Sequence, residues 1–111
     1  MPRVERQAKS FMLPIGDWNM AENEMKSVPH KFTLSEIFSV SAMVRNDTDS
    51  KRYQAMGVDG GLIQLEIESI DETNINLKRK NGGVFDNEDF DSVAYNRGWV
   101  SINFSPGGAV Y

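Results

Sequence analysis

Four stretches of this chain carry an apolar side chain at every second position, and a period of two imposes extended strands with one face on a core. In Ile37–Arg45 the set is Phe38, Val40, Ala42 and Val44, against Ser39, Ser41 and Arg45 joined by apolar Ile37 and Met43. In Leu62–Glu68, Ile63, Leu65 and Ile67 alternate with Gln64, Glu66 and Glu68. In Thr73–Lys80, Ile75 and Leu77 stand against Asn74, Asn76 and Lys78. Near the end, Val100, Ile102 and Phe104 alternate with Trp99, Ser101 and Asn103.

Turn chemistry fills the gaps. Asn46–Ser50, Gly57–Gly61, Asp71–Asn74 and Asn81–Gly83 gather residues that accept positive φ or bond their own backbone. The short link from Ile67 to Ile75 reads as a hairpin. Phe11–Ile15 and Met25–Leu34 add two earlier strands, and Pro14 and Pro29, which lack an amide donor, direct them to sheet edges. Asn87–Phe90 suits a single helical turn capped by Asn87, and Leu34–Phe38 another with Ser35 as cap.

At 111 residues the chain matches one hydrophobic core. The spacing predicts an all-β fold, an antiparallel β-sandwich of about six strands. Its expected bounds are an extended N-terminal arm at 1–16, the sandwich at 17–105 and a C-terminal tail at 106–111.

Composition removes several function classes. With no cysteine, the chain forms neither disulfides nor thiolate metal sites, which agrees with a reducing cytoplasm. No run of 18 apolar residues is present, so no membrane-inserted helix is expected, and the N-terminus lacks the apolar stretch of a signal peptide. Sixteen acidic residues against 12 basic ones give a net charge of −4, the wrong sign for a phosphate-binding surface, so nucleic acid is not expected as a partner.

Catalytic chemistry is sparse. His30 is the one histidine, and no Gly-x-Ser-x-Gly elbow or Gly-rich phosphate loop accompanies it. The plain reading is a strand histidine bonded to backbone or water. Paired carboxylates exist, but a glycosidase dyad needs a substantial cleft, for which a sandwich this small has little room. We therefore expect no enzyme and no cofactor. The acidic loop with Asp86, Glu88, Asp89 and Asp91 is the best calcium candidate, since hard cations take several oxygen ligands. It lacks the glycine of an EF-hand loop, and a solvated or helix-capping loop is the simpler reading. Asp47 and Asp49 form a weaker acidic pair.

Asp17, Trp18 and Asn19, together with Asn96, Arg97 and Trp99, combine aromatic rings with planar polar groups. That combination serves protein interfaces, core packing and sugar sites, weighted here in that order. Tyr111, ending the tail Gly107–Tyr111, is a further interface candidate, because an extended tail can add to a neighbour's sheet.

The segments Ile15–Met20, His30 with Ile37–Ala42, Gly82–Asp86 and Asn96–Ile102 together resemble small structural and tail-fibre proteins of tailed bacteriophages. The order of elements is also similar to the H-type lectin fold, a sandwich that assembles as trimers or hexamers. His30-Lys31-Phe32 departs from the phage pattern, which often has glycine in the middle position. The resemblance implies a virion component made in the host cytoplasm, a homo-oligomer contacting other virion proteins. The alternative is a lectin-like module that recognises a bacterial surface glycan.

Overall fold

Three of the alternating stretches form one strand each, and Leu62–Glu68 is divided at Gln64 between two, in the computed structural model, which describes residues 9–55, 58–59 and 62–105. In chain order the strands are β1 (Lys9–Pro14), β2 (Met25–Pro29), β3 (Ile37–Arg45), β4 (Arg52–Gln54), β5 (Val58–Asp59), β6 (Leu62–Ile63), β7 (Leu65–Ile70), β8 (Asn74–Arg79) and β9 (Gly98–Phe104). All pairings are antiparallel. One sheet runs β1-β9-β3-β4, the second β2-β8-β7, and β5 and β6 pair as a small separate ribbon. The two larger sheets hold seven strands, one more than the expected six. The extended arm expected at 1–16 includes β1, at the place where a strand was expected over Phe11–Ile15, and β1 pairs with β9 along its whole length. The arm's residues 1–8 and the tail at 106–111, Tyr111 included, lie outside the described residues.

Both sheets turn apolar side chains into one shared core. Ala42 and Val44 of β3 and Val100 and Ile102 of β9 join Val28 of β2, Leu65 of β7 and Ile75 and Leu77 of β8 in a single cluster, with Val40 packed at its margin. This makes the fold a β-sandwich, with the hydrophobic effect acting on two inner faces at once. Pro14 and Pro29 do sit in edge strands, β1 and β2.

Two inward assignments are corrected. Phe38, expected beside Val40 and Ala42, is 44% exposed. The β3–β9 register shifts between Ile37 and Ser39, so Phe38 is an extra residue and Ile37 packs against the core in its place. Ile63 is also 44% exposed. The alternation breaks at Gln64, which is buried and accepts the Val84 amide at 2.9 Å, so Gln64 and Leu65 both turn inward. A second bulge, between Ile67 and Ser69 of β7, returns Ile70 to the core side.

On each outer face one polar row crosses three strands. Ser10 donates to Asn103 (2.6 Å), whose amide nitrogen donates to Ser39 (2.7 Å). On the other sheet Ser27 donates to Asn76 (2.8 Å), which donates to Ser69 (3.0 Å). These side-chain ladders tie the central strand of each row to both neighbours and hold the register.

Single 3-10 turns lie at Leu34–Glu36 and Glu88–Phe90. Asn87 caps the second, accepting the Asp89 amide at 2.8 Å, as its sequence suggests. The first begins at Leu34 as expected but ends at Glu36, and its cap residue is Thr33, two residues before the expected Ser35.

Candidate functional site

The loops before β2, after β3 and before β9 meet at one end of the sandwich: an Asp17–Asn96 bridge joins the first to the third, and the Asp47 amide, donating to the Asp89 carbonyl at 2.8 Å, joins the second to the third. What joins them is a buried cation. Arg97 is 0% exposed, and its guanidinium donates to the Trp18 carbonyl (3.0 Å), the Arg45 carbonyl (2.8 Å) and Asp47 Oδ1 (2.9 Å). Its charge also lies over the rings of Tyr95 and Phe90, at 5.1 and 5.5 Å. Burial alone would raise the Asp47 pKa, but hydrogen bonds from Arg97 and Ser92 and the Arg97 charge outweigh it and hold the carboxyl below its usual value. A second buried cation, Arg79, binds the Met20 and Ala21 carbonyls and Asn81. The two arginines clamp the Trp18–Ala21 loop by its main chain.

Three expected contact residues therefore belong to the interior. Trp18 is 2% exposed and its indole donates to the Asn23 carbonyl at 2.9 Å, so it shows no ring face to a partner. Asn19 is buried, with Oδ1 accepting the Glu22 amide at 3.2 Å, and Arg97 is spent on the clamp. With its donors committed to three fixed acceptors inside the fold, this guanidinium is not available as a contact residue. Asp17 is exposed, and Asn96 is half-buried with Oδ1 accepting the Gly16 amide at 2.8 Å.

The acidic loop is organised by the chain itself. Asp86 accepts the Gly82 amide (3.1 Å), Glu88 and Asp89 occupy the first turn capped by Asn87, and the Asp89 carbonyl accepts the Asp47 amide (2.8 Å). Among the described residues no three His, Asp or Glu side chains converge as a metal site, so Asp86, Glu88, Asp89 and Asp91 are not brought together around a cation. His30 is buried with both ring nitrogens engaged. Nδ1 accepts the Phe32 amide at 3.2 Å, which leaves the proton on Nε2 to donate to the Asp71 carbonyl at 2.8 Å. The backbone-bonded reading of His30 is the observed one.

Trp99, half-buried, is the expected aromatic contact residue that reaches the surface among the described residues, on the outer face of the four-stranded sheet. The Arg45 and Arg52 guanidinium carbons each lie 5.0 Å from its ring, and Arg45 also covers Tyr95 at 4.4 Å. Asp49 links the arginines at 3.3 and 3.0 Å. The hydrogen bond from Arg52 is the main reason the Asp49 carboxyl sits below its ordinary pKa, and the same bond raises Arg52. Beyond Trp99 the face opens into a groove of about 470 Å³ lined by Met12, Met43, Gln54, Ala55 and Ser101. Met12 is 63% exposed at its rim. Sequence reasoning passed over Arg45, Arg52, Met12 and Met43. The signal was present: register pairs Trp99 with Met43 and Ser101 with both Met12 and Ser41, but register is not a local property.

Comparison with known protein families, with curated proteins and with solved structures finds no match.

Proposed function

We propose that this chain is a non-enzymatic structural protein of a virion, a β-sandwich that oligomerises or docks onto other virion proteins. The observation that carries the reading is the apolar strip on the outer face and edge of the four-stranded sheet. Met12, Met43 and Trp99 line an open groove there, while the opposite face of the same sheet already fills the core. Apolar side chains gathered on an exposed sheet face mark a contact surface more often than a catalytic one. The virion setting comes from the sequence resemblance to tailed-phage structural and tail-fibre proteins.

The glycan-binding alternative has less support. It needs Trp18, Asn19 and Arg97 at the surface, and the ring of its remaining aromatic, Trp99, already carries two arginines.

Mass spectrometry of purified phage particles that carry this gene tests the setting. The protein should be present in multiple copies per particle, and its absence from intact particles rejects the proposal. Binding to a broad glycan array, lost on Trp99→Ala with the fold intact, would favour the alternative instead.

A further inference from the structure

The four edges of the two larger sheets differ in how they discourage pairing. β4 is three residues long and begins with Arg52. β2 carries Lys26 and ends on Pro29, and β7 is bulged and carries Glu66 and Glu68. β1 carries its lysine and proline, Lys9 and Pro14, only at its two ends, and has none of these devices between Ser10 and Leu13. It runs in unbroken register across six consecutive pairs with β9, and Phe11 and Met12 are 47% and 63% exposed.

The direction of its free hydrogen-bonding groups follows from the ladder. The Ile15 amide donates to the Gly98 carbonyl at 2.8 Å, and antiparallel bonds alternate, so Leu13, Phe11 and Lys9 bond to β9. Ser10 and Met12 then turn their N–H and C=O groups outward. Pro14 follows in the same phase and lacks an N–H, which ends the usable edge.

We propose that this edge pairs with the same edge of a second copy, antiparallel about a twofold axis at Phe11. This names the partner for the assembly reading above and rests on it. The register is chosen by the residues. With Phe11 opposite its twin, Ser10 of each copy stands across from Met12 of the other, and all their outward N–H and C=O groups find partners. Shifting the axis to Met12 sets Ser10 against Pro14 and strands the Ser10 carbonyl. The Phe11 pair occupies the position where antiparallel side chains approach most closely. It also extends a row of rings already present, since Phe11 meets Phe32 at 5.7 Å and Phe32 meets Phe104 at 4.5 Å. A strand edge facing itself closes after two copies, so assemblies built through it have even numbers of chains.

The test uses the full chain. Light scattering across a concentration series should show mass rising toward twice the 12.5 kDa of one chain. Met12→Pro removes an N–H that faces away from β9, so it should restore the single-chain mass while leaving circular dichroism and the melting transition in place. Because the protein has no cysteine, Phe11→Cys introduces one thiol, which should form an interchain disulfide under mild oxidation far faster than Val93→Cys on a distant exposed loop. A dimer unaffected by Met12→Pro and uncrosslinked at Phe11→Cys overturns the β1 pairing while leaving assembly intact. A chain that stays single at every concentration overturns the pairing as well, and its absence from particles then removes the assembly reading with it.

Discussion

Replacing Arg97 with methionine probes the clamp most directly. The methionine keeps most of the stem's apolar volume, so the loss is concentrated in the guanidinium. Three acceptors lose their donor at once: the Trp18 and Arg45 carbonyls and the Asp47 carboxylate. An orphaned buried acceptor costs about 1–3 kcal/mol, and breaking a buried ion pair from one side costs about 3–5 kcal/mol. These overlap and are not summed. Asp47 is 19% exposed and rehydrates in part, which holds the expected loss near 3–4 kcal/mol rather than higher. Against a domain stability of about 5–15 kcal/mol, that is a large fraction. Urea titration followed by tryptophan fluorescence should show it as a lower midpoint, with a melting temperature lower by about 12 °C or more. Asp47→Asn retains an oxygen for the same donor but leaves the fully buried guanidinium without its counter-charge, so it too should cost about 3 kcal/mol, with clear coupling in a double-mutant cycle. An Arg97→Met loss below about 1 kcal/mol would refute the view that this cation holds the loops together.

Acid stability follows from the depressed carboxyls. Backbone bonds from Thr73 and Asn74 and a side-chain bond from Asn76 lower the Asp71 pKa from 3.8 to about 2, so its contribution is complete above 3.8 and disappears as pH falls through about 2. Asp47 acts with the same sign, so the stability these two groups contribute should be level above pH 4 and decline below it; carbon NMR titration of Asp71 with a midpoint near 4 would contradict this. Gly98→Ala should lower stability by about 2 kcal/mol or more, because a Cβ there meets the Met43 carbonyl oxygen and the Val44 Cα, both backbone atoms with little freedom to retreat. An unchanged urea midpoint for Gly98→Ala would show that β3 and β9 lie further apart than described. Light scattering of Met12→Pro and oxidation of Phe11→Cys test the edge pairing.

The fold was legible because alternation is a local signal. Leu65, Ile75, Leu77, Val100 and Ile102 declare their inward face by spacing alone, and the sandwich places all five in one core. Phe38 and Ile63 were misjudged because a bulge and the inward turn of Gln64 each shift the phase by one residue, and neither leaves a mark in hydropathy. The contact residues were harder to read. Trp18, Asn19 and Arg97 look like surface chemistry in a turn-rich stretch, yet their polar groups are satisfied by carbonyls and amides remote in sequence or hidden in the turn. Nothing near Arg97 in the chain announces Asp47 as its partner, 50 residues away. Trp99 was placed on the correct face by the parity of its strand, but the arginines stacked on it arrive from β3 and β4.

Main-chain oxygens, not side-chain identities, are what Arg97 and Arg79 grip in the Trp18–Ala21 loop. Its contour is thus recorded in groups that every residue type possesses. Glu22, exposed beside it, is free to change by mutation or by design while the curve beneath it keeps its shape. A scaffold of this kind can renew what it displays without having to learn a new way to fold.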